Sequence, residues 1–157
     1  LRLARPVEAL PKGIVPVASI ACAARFLSEN PGRVLLTTGS KELAPYTSVA
    51  DFAERFFVRV LPLPGAITKC IDAGFSPSHV IGMQGPFTRE HNEAMLRQVG
   101  AQWLVTKDSG TVGGTAEKLA SARNVGARCI VVTRPAEGGG ALSLREVEDA
   151  LLREFAR

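Results

Sequence analysis

The residues best placed to do chemistry in this chain stand at the ends of short apolar runs. Trp103-Leu104-Val105-Thr106 is one such run; it delivers Lys107-Asp108-Ser109-Gly110, then Gly113-Gly114-Thr115, before helical spacing resumes at Ala116, Leu119 and Ala120. A helix start carries N–H groups with no intrahelical acceptor and the positive end of the helix dipole, and glycine lets a ligand come close to that backbone. The loop therefore suits an anion such as phosphate, with Lys107 and Lys118 adding charge. An ordinary strand-to-helix turn with Thr115 as its N-cap fits the same residues. The run Arg33 to Thr37 ends in the same style, at Thr38-Gly39-Ser40-Lys41, with a glycine for close approach, two hydroxyls and a charge. Val80-Ile81-Gly82-Met83 opens into Gln84-Gly85-Pro86-Phe87-Thr88, and Cys129 to Thr133 ends at Arg134-Pro135.

A proton donor is harder to find. His91 falls on the helix expected after Gln84 to Phe87, and His79 just ahead of a strand, where surface or structural roles are expected. Asp108 is better placed, although a turn residue would look the same. No catalytic residue is assigned, and no set of residues has metal-ligand spacing.

Each of these loops needs a strand before it and a helix after it. From Val17, the positions Ile20, Ala21, Ala24, Phe26 and Leu27 sustain a helical face that Asn30-Pro31-Gly32 ends. Val49, Phe52, Ala53 and Phe56 predict a second helix, its start bent or delayed by Pro45, followed by a strand from Phe57 to Leu61. Pro62-Leu63-Pro64-Gly65 cuts that strand, and Ile67 to Ala73 makes a short helix closed by Gly74. Thr88 can cap a helix with Ala94, Met95 and Val99 on its inner face, closed by Gly100. Ala116 to Asn124 forms the next helix, and Gly126 precedes the last strand. Beyond a connecting loop at Glu137 to Gly140, a capping-box spacing at Ser143 to Glu146 opens a final helix with Val147, Ala150, Leu151 and Phe155 on one face.

Near-continuous apolar strands alternating with helices predict right-handed βαβ units. The expected fold is α/β: a doubly wound, mostly parallel, Rossmann-like sheet of about five strands with helices on both faces. Ligands in such sheets sit beyond the carboxyl ends of the strands, where all four loops fall.

Bulk properties narrow the classes. With 157 residues and 46% hydrophobic content, one sizeable core and a single domain are expected. A net charge of +4 and a pI near 9.3 favour acidic ligands, but the basic residues are scattered among acids and no aromatic platform interleaves with them, which argues against nucleic acid. Cys22, Cys70 and Cys129 are far apart and odd in number, which suits reduced core thiols and a cytoplasmic setting. No apolar window approaches the roughly 18 residues of a membrane span, so no membrane partner is expected. An opening at Leu1, in an extended segment stopped by Pro6, suggests a piece of a longer protein.

Taken in order, Leu36 to Ser40, Gln84 to Phe87, Thr106 to Gly110, Glu117-Lys118 and Arg134-Pro135 resemble the precorrin-6A reductase family of cobalamin biosynthesis. The resemblance implies NADPH-dependent reduction of a double bond of precorrin-6A, or its cobalt form, to precorrin-6B. It also implies that residues 1–157 correspond to the C-terminal of two Rossmann-like domains, with the macrocycle and an N-terminal domain as partners. On that basis Thr38, Gly39, Ser40, Lys107, Ser109, Gly110, Gly113 and Gly114 are the cofactor candidates. Lys118, Arg134, Gln84 and Gly85 are candidates for substrate or for the cofactor's extra phosphate. The usual Gly-x-Gly-x-x-Gly fingerprint is missing after Leu36, so NADPH rests on the resemblance. A non-catalytic nucleotide- or anion-binding module is the alternative from another class.

Overall fold

A computed structural model describes residues 13–108 and 114–133. Six strands, β1 (Ile14–Val17), β2 (Val34–Leu36), β3 (Phe56–Val60), β4 (Val80–Gly82), β5 (Trp103–Lys107) and β6 (Arg128–Val132), form one sheet in the order β1-β6-β5-β2-β3-β4. Every pairing is parallel. The helices between them are α1 (Ile20–Glu29), α2 (Ala44–Thr47), α3 (Phe52–Arg55), α4 (Pro64–Asp72), α5 (Arg89–Val99) and α6 (Thr115–Asn124).

The strands are apolar on both faces because both faces are covered. Val34, Leu36, Phe56, Val58, Trp103, Val105 and Ile130 share a core with Ile20, Ala23, Ala24 and Leu27 of α1 and with Cys70 of α4. The alternate positions Leu35, Leu104, Cys129 and Val131 pack with Met95, Leu96 and Val99 of α5 and with Leu119 and Ala122 of α6. Among the described residues no helix is long and apolar enough to cross a membrane.

The sheet has one strand more than the sequence pattern suggests. Pro16 makes Ile14–Val17 look unlike a strand, but among the described residues β1 lies at the sheet edge and pairs with β6 alone. The Gly13 and Val17 carbonyls accept from Cys129 N and Thr133 N (2.7 and 2.9 Å), so the intervening Pro16 nitrogen faces away from β6 and no ladder bond is lost. Val17 accordingly belongs to a strand, and α1 starts at Ile20 with Ser19 Oγ accepting from Cys22 N at 3.1 Å. Ala23, not Ala21, completes its buried face.

The helix expected over Val49 to Phe56 is also revised. Pro45 lies in the first turn of the separate helix α2, and Asp51, in the left-handed conformation (φ 59°), starts the four-residue α3. Phe56 opens β3, paired with Val34 and fully buried, while Ala53 is exposed. On α5, Thr88 caps as expected, its Oγ1 accepting from His91 N, but Asn92, Met95, Leu96 and Val99 form the inner face and Ala94 is exposed. The final helix from Ser143 and the loop at Glu137 to Gly140 lie outside the described residues.

Arg55 shows how the short α3 serves the core. Its Nε donates to Gly32 O (3.0 Å) and its Nη2 to Leu27 O and Asn30 O (3.2 and 2.9 Å), so one guanidinium satisfies carbonyls at and beyond the end of α1. Arg55→Ala is expected to cost about 1.5–3 kcal/mol, as bonds from a charged donor do, and Arg55→Lys most of that. Urea unfolding of the two variants checks this, with an unchanged midpoint as the contrary result.

Candidate functional site

From β2 the chain crosses to β3 through α2 and α3 on one side, whereas from its neighbour β5 it crosses to β6 through α6 on the other. The carboxyl ends of β2 and β5 therefore form a topological switch point, where a crevice opens in sheets of this kind. Two of the sequence-predicted loops meet there. Thr37 N–H and Oγ1 both donate to Val105 O (2.9 and 2.8 Å), and Lys107 Nζ reaches Glu42 at 3.4 Å across the rim. Lys107 is thus engaged by a carboxylate of the β2 loop.

A cleft of about 650 Å³ extends from this point along the tops of β3 and β4, lined by Thr37, Gly39, Arg59, Gly85, Gly114 and Lys118 among others. Gly39 holds φ 82° and Gly114 holds φ 65°, and at each a Cβ would meet nothing within 4 Å. Both positions need glycine for backbone conformation and leave open space beside the chain. Gly114, rather than Thr115, is the N-cap of α6; Thr115 is buried, with Oγ1 donating to Lys107 O at 3.4 Å. The alternative of an ordinary turn capped by Thr115 is thereby replaced by a cap residue with no side chain between the helix start and the cleft.

The remaining candidates divide. Thr38 Oγ1 is buried beside the core phenol of Tyr46, so this hydroxyl does not reach the rim. Burial pushes the Tyr46 phenol pKa up. Ser40 is half-buried on the same loop, Gln84 is exposed and does not line the cleft, and Gly85 does. A Cβ on Gly85 would come within 3.1 Å of the Phe87 ring, so its hydrogen lets that ring fold back over the cleft. Ser109, Gly110, Gly113 and Arg134 lie outside the described residues. His79 stacks on Phe57 (4.0 Å) with Nδ1 at 3.2 Å from Phe56 O, and His91 lies beside Phe87; neither lines this cleft.

Lys118, one turn into α6, is half-buried with Nζ 3.4 Å from Thr106 Oγ1. Burial lowers its pKa, and the nearby Arg59 charge lowers it further. Arg59 itself has no counterpart among the sequence candidates. It lies 93% buried at the fourth position of β3, as 7% exposure remains, with Nη1 donating to Asn92 Oδ1 at 2.8 Å and its guanidinium carbon 3.9 Å from the Phe87 ring centre. Desolvation lowers its pKa well below the ordinary guanidinium value, to about 10. A signal was present in the sequence: one charge inside Phe57-Val58-Arg59-Val60, a strand otherwise apolar on both faces.

The parallel sheet, its helices on both faces and the glycine-bearing loops at its switch point define a doubly wound α/β domain of Rossmann type. The chain belongs to the family described as precorrin-6x reductase CbiJ/CobK, which it matches over residues 1–153. It is 38% identical over 142 residues to a cobalt-precorrin-6A reductase of Methanothermobacter thermautotrophicus, covering 86% of this chain and 45% of that one. It is 35% identical over 138 residues to one of Priestia megaterium, covering 84% and 53%. A solved structure of CobK precorrin-6A reductase shares the fold with a TM-score of 0.65 at 24% identity, covering 97% of this chain and 61% of that one. The chain spans about half the length of these curated relatives.

Proposed function

We propose that this chain is the C-terminal Rossmann-like domain of an NADPH-dependent reductase that converts precorrin-6A, or its cobalt form, to precorrin-6B, with an N-terminal domain completing the cleft. Family membership supports the reaction, and the observation that carries the cofactor reading is the pair of open glycines, Gly39 and Gly114, at the β2/β5 switch point. Backbone at Thr38, Gly39 and Ser40 and the start of α6 at Gly114 would hold the pyrophosphate, with Ser109, Gly110 and Gly113 as further backbone candidates and Lys107 on the rim. Lys118, Arg134, Gln84 and Gly85 are left for the extra phosphate or for substrate. The nicotinamide, when bound, supplies a hydride. The chain's part is to orient that ring against a flat macrocycle and keep water out. Three unpaired cysteines accord with a cytoplasmic setting.

Thermal unfolding with NADPH and NADH tests this. A ligand at 100 times its Kd that binds only the folded state adds about 2.7 kcal/mol, which at ~2–4 °C per kcal/mol raises Tm by roughly 5–10 °C. NADPH is expected to give that rise and NADH less than half of it. Gly39→Val, whose branched side chain is strained at φ 82°, is expected to remove the response. Equal shifts with ATP and inorganic phosphate point to a general anion module, and no shift with either nicotinamide cofactor overturns the cofactor site in this chain.

A further inference from the structure

Arg59 is a charged group that the cofactor reading does not use. Its Nη1 is bound to a neutral amide, and no carboxylate pairs with it among the described residues. Nε and Nη2 make no hydrogen bond to a described residue, and neither is among the sealed, unsatisfied polar atoms, so both stay accessible from the cleft that Arg59 lines. Asn92 fixes one corner of the guanidinium and Phe87 covers one face, which pre-sets its plane. A buried cation held in this way is costly unless an anion meets it, and a guanidinium edge with two donors matches a carboxylate.

The surroundings distinguish the anion. The glycine loops at Gly39 and Gly114 offer backbone, as phosphates favour, whereas Val60, Leu61, Met83, Pro86 and Phe87 give the same cleft an apolar wall, with Lys118 as a second cation near Arg59 and the Glu117 carboxylate held by Arg89 at 3.1 Å. Leu61 is 52% exposed at the mouth, and Leu63 beyond it 55%. Such walls suit a flat apolar body with a pendant carboxylate reaching down to the guanidinium. The geometry points to Arg59 as the anchor for a carboxylate side chain of the substrate, oriented by Asn92 and Phe87. This rests on the reductase reading for the ligand being a polycarboxylate macrocycle, but not on which cofactor it uses.

Uroporphyrin, a flat tetrapyrrole bearing eight carboxylates, is the probe, titrated into the chain by its own fluorescence with NADPH titrated separately. Arg59→Met is expected to weaken uroporphyrin at least tenfold and change NADPH affinity less than twofold. Arg59→Lys, which keeps the charge but loses the paired donors, should fall between. Loss of NADPH affinity alone assigns Arg59 to a phosphate and overturns the carboxylate anchor. Unchanged uroporphyrin affinity in Arg59→Met, or no uroporphyrin binding by the native chain, overturns it as well. Native binding of uroporphyrin without NADPH, still lost in Arg59→Met, would sink the cofactor reading and leave this one standing.

Discussion

Trp103→Ala is expected to lower stability by about 3–5 kcal/mol, the usual cost of deleting a large buried aromatic. Trp103 is fully buried at the start of β5, paired with Val34 on one side and Arg128 on the other. Its ring meets Phe26 of α1 edge to face at 5.3 Å, and the Arg128 guanidinium lies 3.7 Å from its centre. Its indole N–H donates to Pro31 O at 3.0 Å, tying the turn after α1 to the sheet. Alanine removes all of these and leaves a cavity under α1 that the β2–β5–β6 backbone ladder cannot collapse to fill. At ~2–4 °C per kcal/mol the melt should fall by roughly 10 °C. Trp103→Phe keeps an apolar ring and loses the indole bond, so a cost of about 1–2 kcal/mol is expected. A loss below about 1 kcal/mol for alanine would mean that the turn and α1 do not depend on this ring.

Much of this frame was legible in the residues because burial on both faces writes a strand as a continuous apolar run. Phe57 to Val60, Trp103 to Thr106 and Cys129 to Val132 lie in strands for that reason. The pattern failed where tertiary context overrode it. Pro16 is tolerated because its nitrogen faces away from β6, the one strand that β1 pairs with among the described residues, and Phe56 leaves the helical spacing of Val49 and Phe52 to pair with Val34 of β2. The site was legible as loops but not as a cleft. Gly39, Gly85, Gly114 and Lys118 were marked by type and position, and the fold brings them to one cavity. Thr38 was marked for its hydroxyl, which the structure turns into the core beside Tyr46. Arg59 and Asn92 are separated by 33 residues, and only the sheet and α5 together make them a pair.

That pair supports the second large prediction. Asn92→Leu leaves the buried Arg59 Nη1 without its oxygen acceptor, and losing a neutral partner of a buried charge costs about 2–3 kcal/mol. Arg59→Met leaves Asn92 Oδ1 unsatisfied, but it also removes a charge whose desolvation depresses its pKa to about 10, so its net effect is expected within about 1 kcal/mol of zero. The double variant removes both polar groups from an apolar wall and should be more stable than the sum of the two changes by about 2 kcal/mol. The pH dependence follows from the depressed pKa. Holding the charge costs its full amount below pH 10 and progressively less as pH rises toward the ordinary guanidinium pKa, so the Asn92→Leu penalty should be flat between pH 6 and 9. Urea unfolding of the four proteins across that range measures both quantities. Additive changes would show that Arg59 and Asn92 are held independently, and the guanidinium would then be oriented by Phe87 alone. Coupling of the expected size makes the cleft a place where the fold gives up stability to keep a cation in position for an anion.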